Sequence, residues 1–317
     1  MSQTDESWVY LCQMIIDFHC HISTPDSKMP DPDGPYYRAL PAIKPVRQVL
    51  GPVAQEAVDA VAEAWRTPAA LKAYRNLSPM IYGEMSLRLE TANIAGLLAD
   101  MAENNVQKSV VVGLDPFVPT SSVLKACATV PGVLYTFGSV DSKQADFLKR
   151  FDDLLTMHIY GIKFHSDLQE LPLDSSKLSE MMKVLIKSGR RLPVYLHTGN
   201  FPIYRPLETP WDKALPKLLG DFPEITFVCG HAGWENPDAA LRCAHLHPNL
   251  YLETSWQPPA TIRRLCDEIG PERLLFGSDY PLYSQRRALR NVRSALNDEE
   301  FGLVSCGNAA GLLGVGA

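Results

Sequence analysis

Of 317 residues, 46% are hydrophobic and 21% charged, an ordinary globular balance, long enough for two average domains or for one α/β barrel of about 250 residues. The net charge of −6, with no basic run and no basic–aromatic interleaving, argues against a nucleic-acid partner or an anionic membrane surface. No apolar stretch approaches the roughly 18–20 residues that a membrane span needs.

In chain order, residues 1–13 carry two acids and no basic run, and read as a loosely held leader rather than a signal peptide. Residues 14–21, M-I-I-D-F-H-C-H, form the first strand. Side chains i and i+2 of a strand share a face, so His19 and His21 look the same way at its end. Two imidazoles aimed at one point suit a divalent metal such as zinc, although H-x-H alone fits a pair of surface or turn histidines equally well. The same alternation places Asp17 inward but deeper, where it would orient a ligand. Cys20 faces the other way, into the core.

Residues 24–51, rich in Pro, Asp and Gly, read as loop. Helical spacing follows over 53–66, with Val58, Val61, Ala62 and Trp65 on one face, and Thr67-Pro68 opens a second helix to residue 74. Another helix is predicted over 91–104. From the apolar run 109–114 onward the chain alternates. Strands are predicted at 133–140, 159–165, 192–197, 225–230, 250–253 and 274–278. Helices are predicted at 122–129, 143–155, 176–187, 211–219, 237–244, 259–269 and 284–296, with a closing helix over 298–313. Eight apolar strands alternating with helices favour a (β/α)8 TIM barrel over an open doubly wound sheet, whose Gly-rich phosphate turn is missing after the first strand. The expectation is one barrel domain over 1–317, with a helical insertion after strand 1, residues 24–90, rising over the C-terminal face as a cap.

A barrel carries its chemistry at the C-terminal ends of its strands. Those ends supply His19 and His21 (strand 1), Lys163 and His165 (strand 4), His197 (strand 5), His231 (strand 6) and Asp279 (strand 8). His165 fits either a substrate contact or a structural role. His158, His245 and His247 fall on helix patterns and read as surface residues, while Cys229 reads as packing. The loops after strands add substrate-side candidates: Asn200, Tyr204, Arg205, Trp234, Trp256, Tyr280 and Tyr283, together an aromatic-walled pocket. Of these Arg205 is the best placed for a substrate carboxylate, because a guanidinium binds one bidentately. The seven cysteines are scattered without a C-x-x-C, which fits reduced core thiols and a cytoplasmic protein.

In order, D-F-H-C-H, G-I-K-F-H, L-H-T-G, G-H-A-G and G-S-D-Y-P resemble the motifs of strands 1, 4, 5, 6 and 8 of the amidohydrolase superfamily. The chain is similar to its amidohydrolase-related branch of TIM-barrel metal-dependent hydrolases and decarboxylases from residue 14 to residue 313, least so in the insertion. These motifs together are specific for the superfamily and not for a substrate. The resemblance implies that His19, His21, His197 and Asp279 ligate one metal. It makes His231 either a ligand of a second metal or the base or electrophile beside the metal's water. Lys163 is then either carboxylated and bridging two metals or a neighbour of one, while by its position alone it also fits a barrel lysine paired with an acid. The expected cofactor is a divalent metal, zinc before manganese, as one or two ions. The expected activity is hydrolysis of a C–O or C–N bond in a small carboxylated molecule, a lactone, ester or amide, with Asp279 as general base and His231 helping to polarise the carbonyl. The alternative is non-oxidative decarboxylation of an aromatic or unsaturated acid. A barrel that has lost catalysis and only binds or scaffolds is the third class. The partner expected is a small-molecule substrate, and a homo-oligomer is compatible with the sequence.

Overall fold

The computed structural model describes residues 14–28, 87–200 and 207–316, together with residues 56, 57, 59, 60, 63 and 83–85. Eight strands form one sheet in sequence order: β1 Ile16–Cys20, β2 Lys108–Val112, β3 Leu134–Gly138, β4 Gly161–Phe164, β5 Val194–Leu196, β6 Phe227–Cys229, β7 Leu250–Glu253 and β8 Leu274–Leu275. Every neighbouring pair is parallel. The Phe18 N–H donates to the Phe276 carbonyl and the Asp279 N–H to the His19 carbonyl, joining β1 to the chain after β8 and closing the ring. This is the expected (β/α)8 barrel. Its strands are continuous apolar runs because both of their faces are buried.

The helices α1 Ile94–Glu103, α2 Thr120–Cys127, α3 Phe147–Leu155, α4 Ser176–Ser188, α5 Trp211–Asp221, α6 Pro237–Leu246, α7 Pro259–Ile269 and α8 Gln285–Ala295 connect them. Where a predicted start slips by a residue, capping is the reason. Ser284 sits outside α8 with extended backbone, its hydroxyl accepting from the Arg287 N–H. Residues 143–146 form turns, so α3 begins later than its periodicity suggests. Alternate strand residues divide between two cores. Ile16, Phe18, Val110, Val112, Tyr135, Phe137, Tyr195 and Val228 fill the barrel, with Ala309, Ala310 and Leu313 of the C-terminal segment packed against them. Cys20, Val111, Ile162, Phe164, Val194, Leu196 and Cys229 face the helices.

The strand-1 alternation does not run unbroken. Ile16 and Asp17 pair with Lys108 and Ser109, but Cys20 pairs with Val111, so three residues of β1 span two of β2. The extra residue is a β-bulge, which reverses the facing of what precedes it. Asp17 therefore does not lie beneath His19 as expected. It shares the helix-facing side with Cys20, accepting from the Ser278 N–H (2.9 Å), the Ser278 hydroxyl and the Gln285 amide (2.8 Å). The bulge leaves His19 and His21 facing the barrel mouth.

Most of the insertion lies outside the described residues. Glu56, Ala57, Asp59, Ala60 and Glu63 are helical, as expected for 53–66. Glu63 accepts from Arg287 Nε (2.8 Å) and from the Tyr283 hydroxyl, and Asp59 from Arg88 (2.9 Å) and the Ser284 N–H (3.0 Å). These contacts fix this part of the insertion on the loop after β8, at the C-terminal end of the barrel. No helix among the described residues is long and apolar enough to cross a membrane.

Candidate active site

The strand ends converge on one buried centre. His21 Nε2 lies 2.9 Å and His19 Nε2 3.5 Å from Asp279 Oδ1. Lys163 Nζ donates to His19 Nε2 at 3.2 Å and sits 3.9 Å above the Tyr195 ring. His231 Nε2 is 3.2 Å from His197 Nδ1, and the His19 and His231 rings are 5.3 Å apart. The second Asp279 oxygen accepts from Trp256 Nε1 at 2.8 Å. His19, Lys163, His231 and Asp279 are at most 4% exposed.

The backbone is bent to produce this arrangement. Among the described residues seven non-glycine positions have positive φ, and five of them, His231, Ala232, Trp234, Trp256 and Asp279, follow β6, β7 and β8. Such conformations cost of order 1–3 kcal/mol each and collect where surroundings over-determine them, typically at functional sites.

Burial sets the charges. It lowers the His19 and His197 imidazoles well below their usual range and brings His231 to about 4, so these rings are neutral with lone pairs available. Burial also draws Lys163 down to about 7 against the pull of Asp279 and Glu253. At Asp279 burial acts upward, but the His21 hydrogen bond, the nearby His231 and the Trp256 N–H outweigh it, and the net shift is downward. Asp279 is thus a carboxylate, with the neutral His19 and His231 nearby.

Among the described residues three side-chain groups have donor atoms close enough for one cation: His19–His21–Asp279, His19–His231–Glu253 and His165–Asp167–His197. The first fits a divalent ion best, because two imidazole nitrogens and a carboxylate oxygen face one point. The third is less suited. The His165 and His197 rings stack 3.7 Å apart at 14°, so their in-plane lone pairs run parallel rather than converging. His197, expected alongside His19 and His21, lies 3.2 Å from His231 Nε2, stacks on His165 and stands 3.7 Å from Asp167.

Other expected site residues fall variously. His165 accepts the Leu168 N–H at Nδ1 (3.3 Å), capping a helical turn, Ser166–Gln169, that the sequence reading missed. Trp234 is buried in the helix-side core, and its carbonyl accepts from Gln257. Tyr280 turns away from the centre. It lines an outer groove of about 290 Å³ with Gly96, Asp100 and Gln285, because the chain after Asp279 runs alongside Cys20 and faces α1. The Trp256 and Tyr283 rings lie 4.7 Å apart, tilted by 36°, with Trp256 against Asp279. Arg205 and Tyr204 lie outside the described residues. His158 and His245 are exposed, as expected. The sequence reading also passed over Glu253, Tyr195 and Ser255, all fully buried beside the imidazoles. The signal for Glu253 was there: an acid closing an apolar strand at the C-terminal face of a barrel.

A family model described as Amidohydrolase matches residues 16–315, and the chain belongs to that family. No curated protein matches it. Among solved structures it resembles an uncharacterised TIM-barrel protein from Bordetella bronchiseptica, at 18% identity and a TM-score of 0.68, over 95% of this chain and 98% of that one. It also resembles a 5-carboxyvanillate decarboxylase from Novosphingobium aromaticivorans, complexed with manganese and 4-hydroxy-3-methoxy-5-nitrobenzoic acid (16% identity, TM-score 0.64, 99% and 100% covered). A third likeness is a probable 2-pyrone-4,6-dicarboxylic acid hydrolase from Acinetobacter baumannii with citric acid bound (16% identity, TM-score 0.58, 95% and 99% covered). At these identities the likeness is one of fold.

Proposed function

We propose that the protein is a metal-dependent hydrolase of a C–O or C–N bond, a lactone, ester or amide, in a small carboxylated molecule. The observation that carries this reading is Asp279: a carboxylate held ionised, with Oδ2 fixed by Trp256 and Oδ1 turned to His19 and His21. His19, His21 and Asp279 would hold a divalent ion, zinc or, second, manganese, beside Lys163 and His231. One ion suits an unmodified Lys163, and two would require its carboxylation. Such an ion supplies Lewis acidity, polarising a carbonyl oxygen and acidifying water from 15.7 toward about 7.

In this reading Asp279 takes the proton of the attacking water and returns it to the leaving oxygen or nitrogen. The His231 ring lies 5.3 Å from that of His19, and its neutral imidazole would serve as a ligand of a second ion. His19, Lys163, His231 and Asp279 are buried, and a charge interaction is stronger at a buried site than in water. Arg205 would bind the substrate carboxylate. His165 stacks on His197 at 3.7 Å, with its Nδ1 engaged by the Leu168 N–H.

The second reading, non-oxidative decarboxylation of an aromatic or unsaturated acid, draws support from the decarboxylase of like fold that holds manganese and a nitrobenzoic acid. The two are separated by supplying the zinc- or manganese-loaded protein with carboxylated lactones, esters and amides, and with hydroxylated aromatic acids, in ¹⁸O-water. Hydrolysis places one ¹⁸O in the product. Release of carbon dioxide with no ¹⁸O in the remaining product would overturn the hydrolase reading in favour of the second.

A further inference from the structure

Glu253 closes β7 and is fully buried, yet none of the steps above uses it. It lies at the fork of two short hydrogen-bond chains. In one, the Tyr195 hydroxyl donates to Glu253 Oε2 at 2.6 Å and stands 2.8 Å from His19 Nδ1. In the other, the Ser255 hydroxyl donates to the same oxygen at 2.8 Å and stands 2.7 Å from His231 Nδ1. The His231 N–H (3.1 Å) and the Ser255 N–H complete a set of four donors around the carboxylate.

A carboxylate only accepts, and a hydroxyl has a single proton to give. With that proton directed to Glu253, each hydroxyl oxygen must accept from its imidazole. His19 and His231 therefore both carry their proton on Nδ1 and a lone pair on Nε2. The contact of Lys163 Nζ with His19 Nε2 at 3.2 Å is compatible with this, since an ammonium there donates to the lone pair. The backbone is shaped around the same unit. A Cβ on Gly277 would collide with Glu253 Oε1, and a Cβ on Gly230 would sit 2.6 Å from the Tyr195 hydroxyl.

We infer that Glu253, with Tyr195 and Ser255 as its two arms, is a positioning unit that fixes the tautomers of His19 and His231 together, so that both turn Nε2 into the centre. The consequence for cation affinity rests on the metal-dependent reading above; the tautomer assignment does not. Partners that orient metal-bound histidines typically change affinity 10–100-fold when removed.

The test is ¹⁵N-histidine NMR of the metal-stripped protein at pH 8, with Mn²⁺ affinity measured in parallel. Wild type should show His19 and His231 as Nδ1–H tautomers. Tyr195→Phe should change the His19 signals alone, Ser255→Ala the His231 signals alone, and Glu253→Gln both. A packing role alone would not produce this pattern of one, the other and both. Tyr195→Phe and Glu253→Gln, which act on the ligand His19, should bind Mn²⁺ 10–100-fold more weakly. Tyr195→Phe and Ser255→Ala each remove a single oxygen, so they decide the matter even if Glu253→Gln does not fold. Nε2–H tautomers in wild type, or no selective change in the two single-arm variants, would overturn the inference. The expected tautomer pattern without any Mn²⁺ binding would leave the positioning unit standing and remove the metal-dependent reading.

Discussion

The two oxygens of Asp279 have different neighbours, and that difference separates holding a cation from moving a proton. Asn at this position keeps an oxygen able to coordinate but cannot accept a proton as a base. Asp279→Asn saturated with metal should therefore lose about 10²–10⁴-fold in kcat, the usual contribution of general acid–base catalysis. Near wild-type turnover at full occupancy would move the base elsewhere, with His231 the first candidate. A second expectation concerns Gly277, whose missing side chain makes room for Glu253. Gly277→Ala should destabilise the fold by about 1–3 kcal/mol, the range for overpacking, as read by chemical denaturation. Unchanged stability would mean that Glu253 has room to shift. Residues such as His19, Lys163, His231 and Asp279 were legible because titratable groups at the ends of apolar runs are conspicuous. Tyr195 was not, because a tyrosine inside a strand looks like packing, and only the folded register sets its hydroxyl between Glu253 and His19.

At the level of elements, strand order and helix order were legible from periodicity, because each strand is apolar on both faces and each helix on one. The bulge in β1 was not. It depends on how Asp17–Cys20 register against Ser109–Val111 some ninety residues away, and it moved Asp17 from the inner to the outer face. The helical segment Asp298–Gly302 opens with a capping box between Asn297 and Glu300, and offers an element-scale test. Arg263 donates to both Glu300 oxygens (2.6 and 2.9 Å), and these bonds hold that carboxyl down at about 2 against an ordinary 4.5. A carboxyl depressed in the folded state contributes stability that is complete above its unfolded value and is lost as pH falls toward its folded one. Glu300→Gln should thus lower Tm at neutral pH, and the gap to wild type should shrink from about pH 4.5 and vanish near 2. A gap independent of pH would show that the Arg263–Glu300 pair contributes through packing alone.

For the whole molecule, the ring of strands and the proposed cation centre are one construction, since His19 and Asp279 come from the strand ends that close the barrel through the Asp279 N–H and the His19 carbonyl. An ion bound across that seam stabilises the closed barrel by mass action, about 2.7 kcal/mol when free metal is at 100 times Kd. Melts in excess Mn²⁺ or Zn²⁺ should therefore run several degrees above melts in EDTA, and His21→Ala should abolish the difference. The barrel and the position of its chemistry were legible in the sequence because both follow from alternation. The substrate was not, since Arg205 and most of the insertion gave no pattern that selects one. The measurement that bears most directly on the central claim is calorimetric titration of Zn²⁺ and Mn²⁺ into metal-stripped protein, with a His19→Ala/His21→Ala double variant alongside. Saturable binding in wild type, lost in the double variant together with turnover, is the expected result. Undiminished binding in the double variant, or no binding in wild type, would contradict a metal centre built on His19, His21 and Asp279.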